Sequence, residues 1–248
     1  MKVDKIMTRQ EVLDVPVPAY TSTYAAVPHE AMIGSAIELV DKHGLSVINE
    51  TYRTGRGGQQ VIGRFDIDTG DSDLRLSIAW RNSYDRSMSA LVLAGSTVMI
   101  CENGCYWGDI VGARKHTYGI AEELKQIADK VDRYMFETFN TLVKDKEIMK
   151  TVARPSLRES AELVGRLLLE EELIRQRQLS VIQDEIKTSY NKETDVENGY
   201  VNGHFYGDTM WDFYNNITEG LKTCPPSSYL DNHVKLHDFF KKEQLIPA

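Results

Sequence analysis

Cysteine is scarce: Cys101, Cys105 and Cys224 are all that the chain has. A sparse, odd set fits a reducing compartment better than a disulfide framework, so the expected location is the cytoplasm. Long hydrophobic runs are missing too. No apolar stretch approaches the ~18 residues of a membrane span, and the charged start, Met1 to Gln10, is followed by no apolar segment, so neither an anchor nor a secretory leader is expected. Nor is there a basic excess. Lys and Arg number 29 against 37 Asp and Glu, a formal charge of −8, which argues against indiscriminate polyanion binding, because such binding rests on many cationic contacts with phosphates.

What is present suits an ordinary globular fold. The 248 residues are 42% hydrophobic and 27% charged, enough for a substantial core. Residues 1–27, around Pro16 and Pro18, read as an N-terminal arm or edge segment. Pro28 and Gly44 then bracket a helical pattern (Ile33, Ile37, Val40), predicting a helix over 28–43. From Leu45 the period becomes two. In Asp73 to Arg81, Leu74, Leu76, Ile78 and Trp80 share one face. In 59–68, Val61, Phe65 and Ile67 go to the core, leaving Arg64, Asp66 and Asp68 outward. Gly55-Arg56-Gly57-Gly58 and Thr69-Gly70-Asp71 predict tight connections. Ser89 to Cys101 is apolar on both parities, as in a strand covered on both faces.

A 3.6-residue stripe from Leu124 to Leu142 predicts a long helix to about 150, packed on the sheet. Pro155 ends it. Ser156 and Glu159 form a capping box for a helix whose pattern continues to Ile186, residues 188–208 read as a loop, and helices are expected at 209–220 and 229–243, divided by Pro225-Pro226. The fold class is α+β: an N-terminal helix, an antiparallel meander of about four strands, a long helix on the sheet and a helical C-terminal half. The domains expected are the arm 1–27, an α+β core 28–152, and a helical region 153–248 packed on that core.

Polar residues gather where the meander turns: Arg81-Asn82-Ser83-Tyr84-Asp85-Arg86-Ser87, Cys101-Glu102-Asn103-Gly104-Cys105, and Arg114-Lys115-His116-Thr117. These blocks, followed by a long amphipathic helix and a block with Trp211, Asp212 and Asn215, resemble the phage and plasmid family of domain of unknown function 932, over most of the chain from Ala31. That family usually reads Asn-Ser-x-Asp-Gly-Ser in the first block. Here Arg86 stands at the glycine, which puts the turn's left-handed geometry in question. The family label implies no chemistry.

Asn82, Asp85, Cys101, Asn103 and His116 are therefore expected at one polar edge, as a pocket or as well-bonded turns. Arginines interleave with aromatics on sheet and loops. Arg53, Arg56, Arg64, Arg75, Arg81 and Lys115 are candidate contacts to single-stranded nucleic acid, guanidinium groups following phosphates and aromatic faces stacking on bases; cross-strand ion pairs on a solvated face are the simpler alternative. The order helix, meander, long helix is also similar to that of single-strand annealing proteins, a likeness of fold alone. The expected function is single-stranded DNA binding in phage-type DNA metabolism, without catalysis, extending to strand annealing as a homo-oligomer. An interaction protein that blocks a host defence factor is a second reading. A hydrolase or nuclease using Asn82, Asp85, Cys101 and His116 is a third, with Cys101 or Cys105 as nucleophile and His116 as base. Cys101-x3-Cys105 with His116, and Cys224 with His233-x3-His237, offer zinc-type ligands without completing a motif, so no metal and no cofactor is expected.

Overall fold

The computed structural model describes residues 5–70, 73–99, 103–106, 116, 120–190, 199–201 and 204–246. It has an α+β fold in which one antiparallel sheet follows the chain order: β1 (Lys5–Met7), β2 (Val47–Gly55), β3 (Gln60–Ile67), β4 (Leu74–Ser83), β5 (Leu91–Val98) and β6 (Gly104–Cys105). The four expected strands are β2 to β5, with β1 and β6 as additions at the two edges. None of the helices among the described residues is long and apolar enough to cross a membrane.

The chain divides into two compact units. The first comprises Met1–Thr97, Gly108–Phe139 and Pro225–Ser228; the second Val98–Trp107, Asn140–Cys224 and Tyr229–Ala248.

In the first unit, α1 (Arg9–Leu13) starts at a capping box of Thr8 and Glu11, and α2 (His29–Lys42) ends where Gly44 takes φ +63°. Met32, Ala36 and Val40 of α2 are buried in the core together with Phe65, Ile67, Leu76, Ile78 and Trp80 of the meander. Register places Gly63 between Tyr52 and Trp80. A Cβ at Gly63 would run into the Trp80 indole, so β3 needs glycine there for the ring to lie across it.

The alternation of β3 holds, but its outer face is not solvated. Arg64 is 8% exposed and Asp66 only 1%, while Asp68, beyond the strand, is exposed. This corrects the expectation for Arg64 and Asp66. A period of two says which face a side chain takes and nothing about what covers that face. Burial is tolerated because Asp66 is saturated: Ser77 Oγ and Thr97 Oγ1 donate to Oδ1 at 2.9 Å each, Asn49 Nδ2 donates to Oδ2 at 3.0 Å, and the Arg64 guanidinium spans both oxygens.

The second unit takes the remainder of α3 (Ile120–Thr151), then α4 (Leu157–Leu169), α5 (Gln176–Tyr190), α6 (Met210–Leu221) and α7 (Pro226–Lys242), whose first residues belong to the first unit. Ser156 and Glu159 form the expected capping box. Residues 156–186 are two helices, not one continuous pattern: Glu172 takes φ +47°, and Leu173 N–H closes on Leu167 O at 2.9 Å, which terminates α4. The stretch expected as a loop at 188–208 contains the hairpin β7 (Gly199–Val201) and β8 (His204–Tyr206). Helix α6 is buried almost all round, and its Gly220 lets Ile182 of α5 come close.

Candidate functional site

Two turns lie side by side at one end of the meander in the first unit. Between β2 and β3, Arg56, Gly57 and Gly58 take φ of +51°, +68° and +88°. A Cβ at Gly58 would meet Val15 Cγ2 at 2.5 Å, so glycine is needed there for space as well as conformation. After β4, Arg86 takes φ +64°. The backbone therefore has the left-handed turn that the family's glycine implies, now with an arginine in it.

Asp85 ties the turns together. Its Oδ2 accepts from Arg56 Nη1 at 2.8 Å and from Gln60 Nε2 at 2.9 Å, and its Oδ1 accepts from Ser87 N–H at 3.0 Å and from the Ser87 hydroxyl. Tyr84 N–H donates to Gln59 O at 2.7 Å. Burial would push the Asp85 carboxyl up, but the donors from Ser87, Gln60 and Arg56 outweigh it and hold it below the usual carboxylate range. Arg86 is exposed, with its guanidinium 4.4 Å above the Tyr24 ring, and makes no ion pair among the described residues.

Behind the turns lies a buried aromatic bracket. His29 stacks on Tyr84 at 3.9 Å; its Nε2 is 3.1 Å from Gly58 O and its Nδ1 is 3.0 Å from Asn82 Nδ2. Those contacts require Nε2–H as donor and Nδ1 as acceptor. Burial drives the pKa down to about 4, consistent with that neutral tautomer. Asn82 Nδ2 also donates to Val27 O at 2.8 Å, and Tyr24 donates to Ser83 O and Tyr84 O. His116 packs near Tyr24, and burial lowers its pKa.

The expected residues are distributed as follows. Asn82, Asp85 and His116 come together in the first unit; Asn103 is in the second, where its Nδ2 donates to Asn215 O at 3.2 Å. Cys101 and Lys115 lie outside the described residues. Arg56 is exposed, Arg53 and Arg75 are half-buried, and Arg81 is 7% exposed with Nη2 3.4 Å from Ser89 Oγ. Tyr24 and His29 were missed, and no local pattern marks them, since both act through chain segments distant in sequence.

The second unit contains a different constellation. Cys105 Sγ is 3.4 Å from Tyr214 Oη and 3.8 Å from His237 Nδ1, and His237 Nε2 is 3.0 Å from Asp145 Oδ2, which also takes Lys241 Nζ at 2.8 Å. Burial would lower the His237 pKa, but Asp145 and Cys105 raise it to about 9, so an imidazolium sits beside a carboxylate. Thiol, imidazole and carboxylate stand in the order of a cysteine nucleophile with its base. The burial runs the wrong way for that use: Cys105 is 1% and His237 0% exposed, so no substrate reaches the sulfur. The geometry is that of an internal charge network. Cys105 thus has His237 as a neighbour within its own unit. His233 packs edge-on against Tyr229 and Tyr106, and Cys224 Sγ accepts from Asn232. Among the described residues no group of three or more His, Cys, Asp or Glu side chains is arranged to hold a metal ion.

The family model described as Domain of unknown function (DUF932) matches residues 18–234. No curated protein and no solved structure matches the chain. With most of its length covered, from within the arm into α7, the chain belongs to the DUF932 family.

Proposed function

We propose that this is a phage-type DNA-metabolism protein that binds single-stranded nucleic acid at the paired turns of the first unit, with strand annealing by a homo-oligomer as its activity. One observation carries the reading: Arg56 and Arg86 are both exposed and both held in left-handed backbone on adjacent turns. A non-glycine residue in that conformation costs about 1–2 kcal/mol, which glycine would avoid. Strain retained at an exposed position is a pointer to function. The charge of Asp85 between them is balanced by Arg56, and Gln60 and Ser87 fill its oxygens with hydrogen bonds, leaving Arg86 free to meet a phosphate.

The basic contacts move accordingly. Arg64 and Arg81, buried in the sheet, serve the fold, and the turn arginines serve the ligand. Fluorescence anisotropy with a labelled single-stranded oligonucleotide at low salt tests this. Binding at micromolar protein that weakens about tenfold or more in the Arg56→Ala/Arg86→Ala double variant is expected, since charge-assisted phosphate contacts dominate such affinity. Absence of binding, or equal binding by the double variant, overturns it.

A further inference from the structure

A cavity of about 700 Å³ opens in the second unit, walled by Lys144, Asp145, Ile148, Lys241, Gln244 and Ile246. Three features of its wall go beyond what folding requires. Asp145 receives both His237 and Lys241 on Oδ2, and its Oδ1 makes no hydrogen bond among the described residues. Lys144 is exposed and forms no ion pair among the described residues. Gln244 takes φ +54°. It stands at the position after α7 where Leu245 N–H bonds Phe240 O at 2.9 Å and Gln244 N–H bonds Lys241 O at 3.0 Å, the closure in which glycine is the usual residue. A glutamine is strained there, and its side-chain amide has no hydrogen bond among the described residues.

We propose that this cavity binds a nucleoside 5′-phosphate, with the base against Ile148 and Ile246, a base N–H on Asp145 Oδ1, the Gln244 amide on the base edge and the phosphate on Lys144 and Lys241. The volume falls in the range of small-molecule sites. A bare phosphate or a free amino acid would leave most of it empty. Asp145 already has two cationic partners, so its remaining oxygen calls for a neutral N–H donor, such as a base amino group, and not for another ammonium. A side-chain amide is the group that pairs two-sidedly with a base edge. The site lies wholly in the second unit and does not rest on the reading of the turns.

Isothermal titration of the full chain with the four nucleoside 5′-monophosphates, the matching nucleosides, inorganic phosphate and glutamate tests the proposal. At least one nucleotide is expected to bind, with its nucleoside and phosphate alone each about tenfold weaker or worse, because neither half reaches both ends of the site. Lys144→Ala, an exposed change that spares the fold, weakens the nucleotide. Gln244→Gly weakens it as well while raising the melting temperature, because the backbone strain is relieved as the amide is removed. The proposal is overturned if no nucleotide binds at millimolar concentration, if phosphate or glutamate binds as well as any nucleotide, or if Gln244→Gly raises the melting temperature with affinity unchanged.

Discussion

Two of the buried histidines, one from each unit, are driven in opposite directions. His29 in the first unit is held by a carbonyl, an amide and a tyrosine ring, all neutral, and burial takes its pKa down to about 4. His237 in the second is more deeply buried, yet Asp145 and Cys105 bring it up to about 9. Burial alone does not decide the charge of a side chain; its partners do. The surroundings of the two rings differ in the same way. The groups around His29 are neutral, with the arginines on the turns beyond them, whereas His237 shares Asp145 with the Lys241 ammonium.

The largest effect should come from breaking the inward set. Asp145→Ala strands a buried imidazolium and is expected to lower unfolding stability by about 3–5 kcal/mol in urea denaturation. A loss below about 1 kcal/mol would mean that the network contributes little. Because the folded pKa of His237 is raised, its contribution is fully present below about pH 6.5 and is lost as pH rises through about 9. His29 works in reverse. Its folded pKa is depressed, so the unfolded chain binds a proton first and stability is lost as pH falls from about 6.5 toward 4. His29→Gln should flatten that acid limb and leave the alkaline one alone, a pattern readable from melting temperatures across pH.

Gly63→Ala is next, at about 1–3 kcal/mol, since Trp80 must move to admit a methyl group. The smallest effect is at Arg86. Arg86→Gly should change stability by less than about 1 kcal/mol, the relief of backbone strain offsetting the removal of the guanidinium from the Tyr24 ring, whereas Arg86→Ala removes the guanidinium and keeps the strain. If both variants unfold at the same urea concentration, the left-handed turn is not strained.

Much of the fold was legible because its boundaries are marked by residues with fixed chemistry. Pro28 and Gly44 bracket α2, Ser156 and Glu159 open α4, and the run from Leu91 to Val98, apolar on both parities, is buried on both faces. What escaped lacked such marks. The break between α4 and α5 rests on Glu172 in left-handed backbone, with no glycine to announce it, and the three-residue strands β7 and β8 are too short to show alternation. Asn82, Asp85 and His116 could be gathered from their positions at strand ends. The partnership of Cys105 with His237 spans 132 positions and exists only through tertiary packing. Arg64 shows the limit most clearly: its face was readable, its burial was not.

The central claim is that the first unit's turns carry the outward chemistry of this protein. The most direct measurement is the salt dependence of single-stranded oligonucleotide binding for the wild type and the Arg56→Ala/Arg86→Ala variant. Each arginine that neutralises a phosphate contributes about 0.7 to the slope of log K against log salt; Arg56 is already paired with Asp85, so the double variant should show a slope smaller in magnitude by at least about 0.7. An unchanged slope, or no binding by the wild type at low salt, would contradict the account.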